Sequence, residues 1–354
     1  MTEPKAASRG MALLLASLSA LGPFSIDTYL PSFHDIADKL GATQLEVQQT
    51  LSAYLLAFAV MTLWHGAISD RFGRRRVILV ALALFALASA GCLLATRIEH
   101  LWFWRAMQGM TAGAGIVISR AIVRDLYDGP AAQRLMSQIT MMFALAPAIA
   151  PVIGGWLQTF FGWRSVFAFL VLSTTALWFA CWKRLPETLP FEKRQSLRPA
   201  YLGQTYWKVF TSPAFLFACA ALSLNFAGFF IYVLSAPVFL MQHLGIEETG
   251  FLWLFGPAMA GLMSGSWLSG RLAGKRTPGQ TIALGYGVMA GAALINLSVN
   301  LSLPPALPWS VLPLFVYTLG MALAMPSLSL LALDPFPAQR GLAASCQTIY
   351  QSGS

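Results

Sequence analysis

The sequence predicts an all-α, polytopic membrane protein whose spans form two bundles joined by a cytoplasmic linker. Three observations carry that prediction. Of 354 residues, 57% are hydrophobic and 10% charged, with a mean hydropathy of +0.64. A soluble domain carries about 25% charged residues, so most of this surface cannot face water. Apolar runs of roughly twenty residues recur along the chain, each long enough to cross a bilayer core of about 30 Å. The basic residues also keep to alternate connections: all except Lys39, Arg97, Arg164 and Arg105 fall on one side of the runs. Short Lys/Arg-rich loops resist translocation, so that side is cytoplasmic. The net charge of +9 is therefore topology and some affinity for anionic lipid, and nucleic-acid binding is not implied.

Taken in order, Lys5 and Arg9 precede span one, Met11 to about Ser32. A basic start and an apolar run can mimic a signal peptide, but this run is too long and more spans follow, so it stays in the membrane. Span two covers about Val47 to Ser69, three Val77 to Thr96, four Leu101 to Val123, five Met136 to Leu157 and six Trp163 to Trp182. These make an N-terminal six-span bundle, residues 1–182. Residues 183–208 are basic and hold Pro186, Pro190 and Pro199; they read as a cytoplasmic linker too broken by proline for one helix. Residues 209–354 form a C-terminal bundle, with spans at about 213–241, 249–270, 280–302 and 309–333. The outside loops are acidic or neutral, with Asp35, Asp38, Glu46, Glu99, Glu247 and Glu248, which agrees with the basic inside segments.

The loop between spans two and three reads Gly66-Ala-Ile-Ser-Asp70-Arg71-Phe-Gly73-Arg74-Arg75-Arg76. As four arginines and an acid it is a positive-inside connection; Gly66 permits close helix approach and Gly73 a sharp reversal. Its full pattern, G-x-x-x-D-R-x-G-R-R, resembles the loop signature of the major facilitator superfamily. A worn copy, Gly270-Arg271-Leu272-Ala273-Gly274-Lys275-Arg276, follows two hundred residues later between spans eight and nine, as an internal repeat would place it. The resemblance implies twelve spans in two bundles. About ten are complete here, and Gly341 to Ser354 opens an eleventh that breaks off, so the rest of the C-terminal bundle is expected to be missing.

Asp27 is the one acid within a span, near the outer end of span one. An acid in hydrocarbon costs about 2.5–3.5 kcal/mol on insertion scales, so it faces a cavity, a partner or the interface. It reads either as a carboxyl that takes up and releases a proton or as an acid snorkelling to the outer interface. Arg105 is the one base buried in a span and lies at a similar depth in span four. With Gln108 and Gly109 it forms R-x-x-Q-G, which resembles the superfamily's span-four motif linked to proton transfer. It is expected to stand near Asp27, as electrostatic partner or as structural ion pair.

In span five, Pro147, Pro151 and Gly155 recur at intervals of four within Ala146-Pro-Ala-Ile-Ala-Pro-Val-Ile-Gly154-Gly155. They make a bendable packing seam. The run resembles the span-five motif of the superfamily's antiporters. At the inner end of span four comes Ser119-Arg120-Ala-Ile-Val-Arg124-Asp125-Leu-Tyr127. Together with Ile26-Asp27-Thr-Tyr-Leu-Pro31 this is similar to the bicyclomycin- and chloramphenicol-resistance-like (Bcr/CflA) branch of the drug:proton antiporters. That resemblance implies a cytoplasmic charge latch of Gly66, Asp70, Arg71, Gly73, Arg74, Arg120 and Arg124, with Asp70 facing the start of helix eleven. Ala67 and Arg76 stand where this branch leads us to expect proline, and span one has Ser17 and Ser19 where some drug antiporters have a second acid.

Tyr54, Phe58, Gln108, Met142, Asn225, Phe226 and Phe229 are the candidate substrate contacts, because aromatics and methionines line adaptable apolar cavities. The expected function is proton-coupled efflux of small amphipathic drugs across the bacterial inner membrane by alternating access, in a monomer with a cytoplasmic N-terminus. Its partners are the small molecule, protons and membrane lipid. Two alternatives stay open: a proton-coupled uptake symporter, and a truncated membrane protein that does not transport. No cofactor, metal or enzymatic chemistry is expected. Cys92, Cys181, Cys219 and Cys346 all lie in apolar runs without ligand spacing.

Overall fold

A computed structural model of the chain describes residues 9–237, 252–304 and 306–352. Lys5, Glu247, Glu248 and the facing ends of expected spans seven and eight lie outside the described residues. The described chain is helical throughout, with thirteen α-helices and two short 3-10 turns. The N-terminal part holds α1 (Arg9–Asp27), α2 (Phe33–Leu40), α3 (Gln44–Phe72), α4 (Arg74–Leu93), α5 (Ile98–Leu126), α6 (Gly129–Phe161) and α7 (Arg164–Arg184). After the linker come α8 (Pro199–Phe210), α9 (Pro213–Pro237), α10 (Leu252–Leu272), α11 (Pro278–Ser302), α12 (Leu312–Leu333) and α13 (Arg340–Ser352). Among the described residues eight helical segments are long and apolar enough to cross a membrane, and α8 with α9 make a ninth if that bent pair is one span.

Local sequence explains where the helices stop. Span one does not run straight to Ser32. Proline at position 31 would drive its ring into the carbonyl four residues back, so α1 ends at Asp27 and a 3-10 turn over Leu30–Ser32 leads into α2. The start of α3 is closed by a reciprocal capping box: Glu46 N–H donates to Thr43 Oγ1 at 3.2 Å, and Thr43 N–H to Glu46 Oε2 at 2.7 Å. Between α3 and α4 the reversal is a single residue, Gly73, at φ +97°, a region that L side chains rarely enter. The linker is more ordered than its prolines suggest. It carries a 3-10 turn at Phe191–Lys193 and then α8, with Pro199 at the helix start, where a missing N–H breaks no hydrogen bond.

Helices α1, α3, α4, α5, α6 and α7 pack on one another, as do α9, α10, α11 and α12. The two sets meet where α13 lies on α3 and α5 and where α6 lies on α10 and α12. The two loop copies sit at matching places in this arrangement. The loop after α3 docks on the start of α13 through Asp70 and Gly341. The loop after α10 docks on the start of α6, where Arg134 donates to the Ala273 carbonyl at 3.1 Å and Pro130 packs beside Gly274.

Candidate functional site

At the basic end of the bundles, Asp70 and Arg74 are almost sealed from solvent, at 2% and 1% exposed. Buried charges must be paired and hydrogen-bonded, and these are. The Asp70 carboxylate accepts the backbone N–H groups of Gly341 (3.2 Å) and Leu342 (2.9 Å) in the first turn of α13. It also pairs with Arg74 Nη1 at 2.6 Å. A carboxylate at a helix N-terminus gains about 0.3–1 kcal/mol from the exposed amides there. Arg74 Nε reaches on to Asp125 at 3.1 Å, and Arg340 Nη1 meets the other Asp125 oxygen at 3.3 Å. Two acids and two bases from α3, α4, α5 and α13 thus alternate across the junction of the two helix sets. Arg124 adds an outer strut to Asp334, besides its pair with Asp128 at 3.2 Å. From the linker, Glu187 accepts the N–H groups of Arg74, Thr188 and Leu189, so its carboxylate caps α4 just behind Gly73.

Deeper in, a cavity of about 560 Å³ lies between the two sets of helices. Its walls are largely apolar: Pro23 and Ile26 of α1, Phe58 of α3, Phe143 of α6, Phe226 and Phe229 of α9, and Met321 and Met325 of α12. Two charged residues face it, Asp27 from the end of α1 and Arg120 from α5. Arg120 donates to Thr348 Oγ1 of α13 at 3.3 Å, about two helical turns beyond the Gly341 and Leu342 amides. Volume and lining suit a small organic molecule.

The sequence of residues 13–354 matches the family model of the Major Facilitator Superfamily. The chain belongs to that superfamily. Its relatives within it include the MFS-type transporter YdgK of Bacillus subtilis, 34% identical, with 92% of this chain and 81% of that protein covered. The bicyclomycin resistance protein homolog of Haemophilus influenzae is 32% identical over 74% of this chain and 66% of its own length. Multidrug resistance protein D of Escherichia coli is 32% identical over 73% and 65%, so the chain spans about two thirds of the length of these two. By these similarities the chain is a Bcr/CflA-like member of the superfamily, a multi-pass membrane transporter and not an enzyme. Solved superfamily structures share the fold. The E. coli fucose:proton symporter FucP has a TM-score of 0.77 at 13% identity, covering 97% of this chain and 88% of that one. The human organic anion transporter MFSD10 has 0.74 at 19% identity, covering 97% and 90%.

Within this superfamily member, the structure regroups the residues singled out in the sequence. Gly66, Asp70, Gly73, Arg74 and Arg124 come together where α3, α4 and α5 meet α13, the place expected of the charge latch, and Arg120 lies deeper, beside Thr348. Arg71 does not join. It lies exposed near the end of α3, while Arg74, brought back by the reversal at Gly73 to the start of α4, takes the buried position beside Asp70.

Arg105 is fully buried but is not an ion-pair partner of Asp27. Its guanidinium lies between the rings of Tyr29 and Tyr54, at 4.5 and 4.4 Å from their centroids. Its Nη1 donates to Gln108 Oε1 at 2.8 Å and to the Ser25 carbonyl at 3.4 Å. The flat cation stacks on two aromatic faces, and the turn after Asp27 carries the carboxyl to the cavity side.

Tyr54 and Gln108 therefore belong to this buried cluster and not to the cavity wall: Tyr54 Oη bonds Ser25 Oγ at 2.9 Å and Gln108 Nε2 bonds Ser89 Oγ at 2.7 Å. Met142 packs in the core beside α1, and Asn225 is buried off the lining. Phe58, Phe226 and Phe229 do line the cavity. In α6, Pro147 faces the cavity, while the close-packing glycine is Gly154 and not Gly155. A Cβ on Gly154 would overlap the Thr28 carbonyl, whereas Gly155 has open space. The sequence reading missed Arg340 and Glu187 as latch members. Both looked like ordinary cytoplasmic charges, and Asp125 was the one hint, an acid beside Arg124 in a basic segment.

Proposed function

We propose that the chain is a proton-coupled drug antiporter of the bacterial inner membrane, with its N-terminus in the cytoplasm, working as a monomer by alternating access. The observation that carries this reading is the position of Asp27: among the described residues, the one carboxyl on the wall of a largely apolar cavity between two helix sets, with Arg120 the other charged group there. One group can then meet a proton and compete for an amphipathic substrate in the same space. The printed names of the relatives, resistance proteins for bicyclomycin, chloramphenicol and several drugs, support export as the direction.

In the conformation described, the latch holds the cytoplasmic ends together, which suits release of substrate to the outside. Protonation of Asp27 would accompany drug release, and parting of α13 from α3 would return the cavity to the cytoplasm. With one proton exchanged for a neutral molecule, the membrane potential would drive export by about 2.3 kcal/mol per 100 mV. Arg105, two residues' reach from Asp27 through the Ser25 carbonyl, positions the turn that presents the carboxyl.

The test uses inverted membrane vesicles with an imposed pH gradient. Adding chloramphenicol or another amphipathic drug should partly collapse the gradient, and Asp27→Asn should abolish the response. A response that survives the substitution removes the proton from Asp27. No response to any drug, with proton movement driven by sugars or metabolites in right-side-out vesicles, would replace this reading with uptake symport. Silence in both assays would mean a chain that does not transport.

A further inference from the structure

Helix α8 of the linker has two unlike faces. Leu202 and Val209 are buried in one cluster with Phe215, Phe336 and Leu342, at the inner ends of α9, α12 and α13, and Thr205 is buried on the same face. The opposite face, Gly203, Gln204, Trp207 and Lys208, is exposed, and Trp207 is 73% so. A bare indole on a helix of this kind calls for an apolar neighbour.

Depth decides what that neighbour is. The Tyr206 hydroxyl donates to the Leu63 carbonyl at 2.7 Å, and Leu63 lies seven residues before Asp70 on α3. At about 1.5 Å of rise per residue, this puts the tip of the Tyr206 side chain, which α8 carries, roughly 10 Å above the Asp70 level of that span. The axis of α8 turns 68° from that of α9, so it lies across the bundle and not along it. Interfacial amphipathic helices bury their apolar residues about 5–10 Å into the headgroup–acyl boundary, and tryptophan favours that layer.

Charge points to the same place. Between Phe191 and Phe210 the chain carries Lys193, Arg194, Arg198 and Lys208 against a single acid, Glu192. Lys193, Arg198 and Lys208 are exposed. Exposed cations beside an exposed indole match a layer that is anionic above and apolar below. The segment also touches both sides of the latch. Gln195 N–H donates to the Asp70 carbonyl at 2.9 Å, and Gln339, next to Arg340, donates to the Tyr201 hydroxyl at 3.3 Å.

We propose that α8 is an interfacial anchor for anionic phospholipid, with Trp207 at the headgroup–acyl boundary and Lys193, Arg198 and Lys208 on the phosphate groups, holding the linker against the closed latch. The inference rests on the linker's position at the cytoplasmic membrane face and not on which compound is transported, so it stands or falls apart from the vesicle assay above.

The test uses the full chain in nanodiscs of phosphatidylcholine with or without phosphatidylglycerol. An environment-sensitive fluorophore is attached at Trp207→Cys, with the unsubstituted protein as control for its four buried cysteines. The label should be quenched by a spin label at a shallow acyl position more than by one at the chain end, and little by aqueous iodide. Strong iodide quenching would overturn the anchor. Lipid retained on the detergent-purified protein should favour phosphatidylglycerol. Lys193→Gln, Arg198→Gln and Lys208→Gln should weaken that preference by roughly fivefold for each charge removed, with the melting temperature in zwitterionic micelles unchanged as evidence of folding. An undiminished preference in the folded triple variant would overturn the lipid site, and so would competition by inorganic phosphate as effective as by lipid.

Discussion

Gly66 and Gly341 lie main chain against main chain where α3 crosses α13. A Cβ on Gly66 would overlap the Gly341 carbonyl, and a Cβ on Gly341 would sit among the Gly66 carbonyl, Asp70 and Arg74 side chains. The Gly66 N–H also donates to Ser345 Oγ at 2.8 Å. Asp70 can reach the first amides of α13 only because these two backbones touch.

Gly66→Ala should therefore weaken the contact between α3 and α13, by about 1–3 kcal/mol, the usual range for overpacking a tight contact. Gly155→Ala, placed in open space on α6, should leave stability and transport near those of the parent. Thermal unfolding in detergent and drug efflux from cells compare the two. Equal losses would mean that the α3–α13 crossing is not the tight contact described.

Asp70→Asn leaves Arg74 with one acid, Asp125, and a weaker acceptor for the Gly341 and Leu342 amides. Breaking one member of a buried pair costs about 3–5 kcal/mol. Transport should fall to background, and a cysteine at Thr348 should become accessible to a cytoplasmic thiol reagent. Arg71→Gln, by contrast, should change neither, because Arg71 is exposed and outside the buried network. An Arg71→Gln variant as inactive as Asp70→Asn would contradict the assignment of Arg74 as the latch arginine.

Arg105→Lys keeps the charge but loses the planar group held between Tyr29 and Tyr54. Lysine cannot stack on two rings while donating to Gln108 and Ser25. Loss of the stacked pair should lower stability by about 1–2 kcal/mol and reduce proton-coupled transport sharply. Tyr54→Phe retains the aromatic face and loses the hydroxyl's bonds to Ser25 Oγ and the Gly22 carbonyl, at about 0.5–1.5 kcal/mol each. Melting curves for the two variants give the order of effects, and a lysine that substitutes without loss would show that charge alone is needed.

The outer strut is a weaker matter. Asp334 is 37% and Arg124 17% exposed, so solvent screens their pair. A double-mutant cycle with Arg124→Gln and Asp334→Asn should return a coupling of about 0–1 kcal/mol, measured by unfolding, and the coupling should shrink further in high salt.

Much of this architecture was legible in the chain itself. Hydropathy set the spans, since a bilayer admits few apolar lengths, and the sidedness of Arg71, Arg74, Arg75 and Arg76 set the expected orientation. The family resemblance carried by Gly66, Asp70 and Gly73 implied that Asp70 faces the start of the eleventh helix, and its carboxylate accepts the amides of Gly341 and Leu342 in the first turn of α13. Span one was expected to run on to Ser32; the break that leaves Asp27 at a helix end came only with the structure, and Pro31 accounts for it.

The partners of the charges were decided only in three dimensions. Arg71 and Arg74 are alike in sequence, but the reversal at Gly73 puts them on different helices, and Asp125 and Arg340, each distant in the chain, bury Arg74 while Arg71 stays exposed. Equal depth suggested that Arg105 would meet Asp27, but depth says nothing of rotation about a helix axis, and two tyrosine faces took the guanidinium instead. Tyr54 and Phe58 share a helix face one turn apart, yet one stacks on Arg105 and the other lines the cavity. A sequence records which groups must leave water or stay on one side of a membrane; which groups then meet depends on how helices distant in the chain are turned and packed.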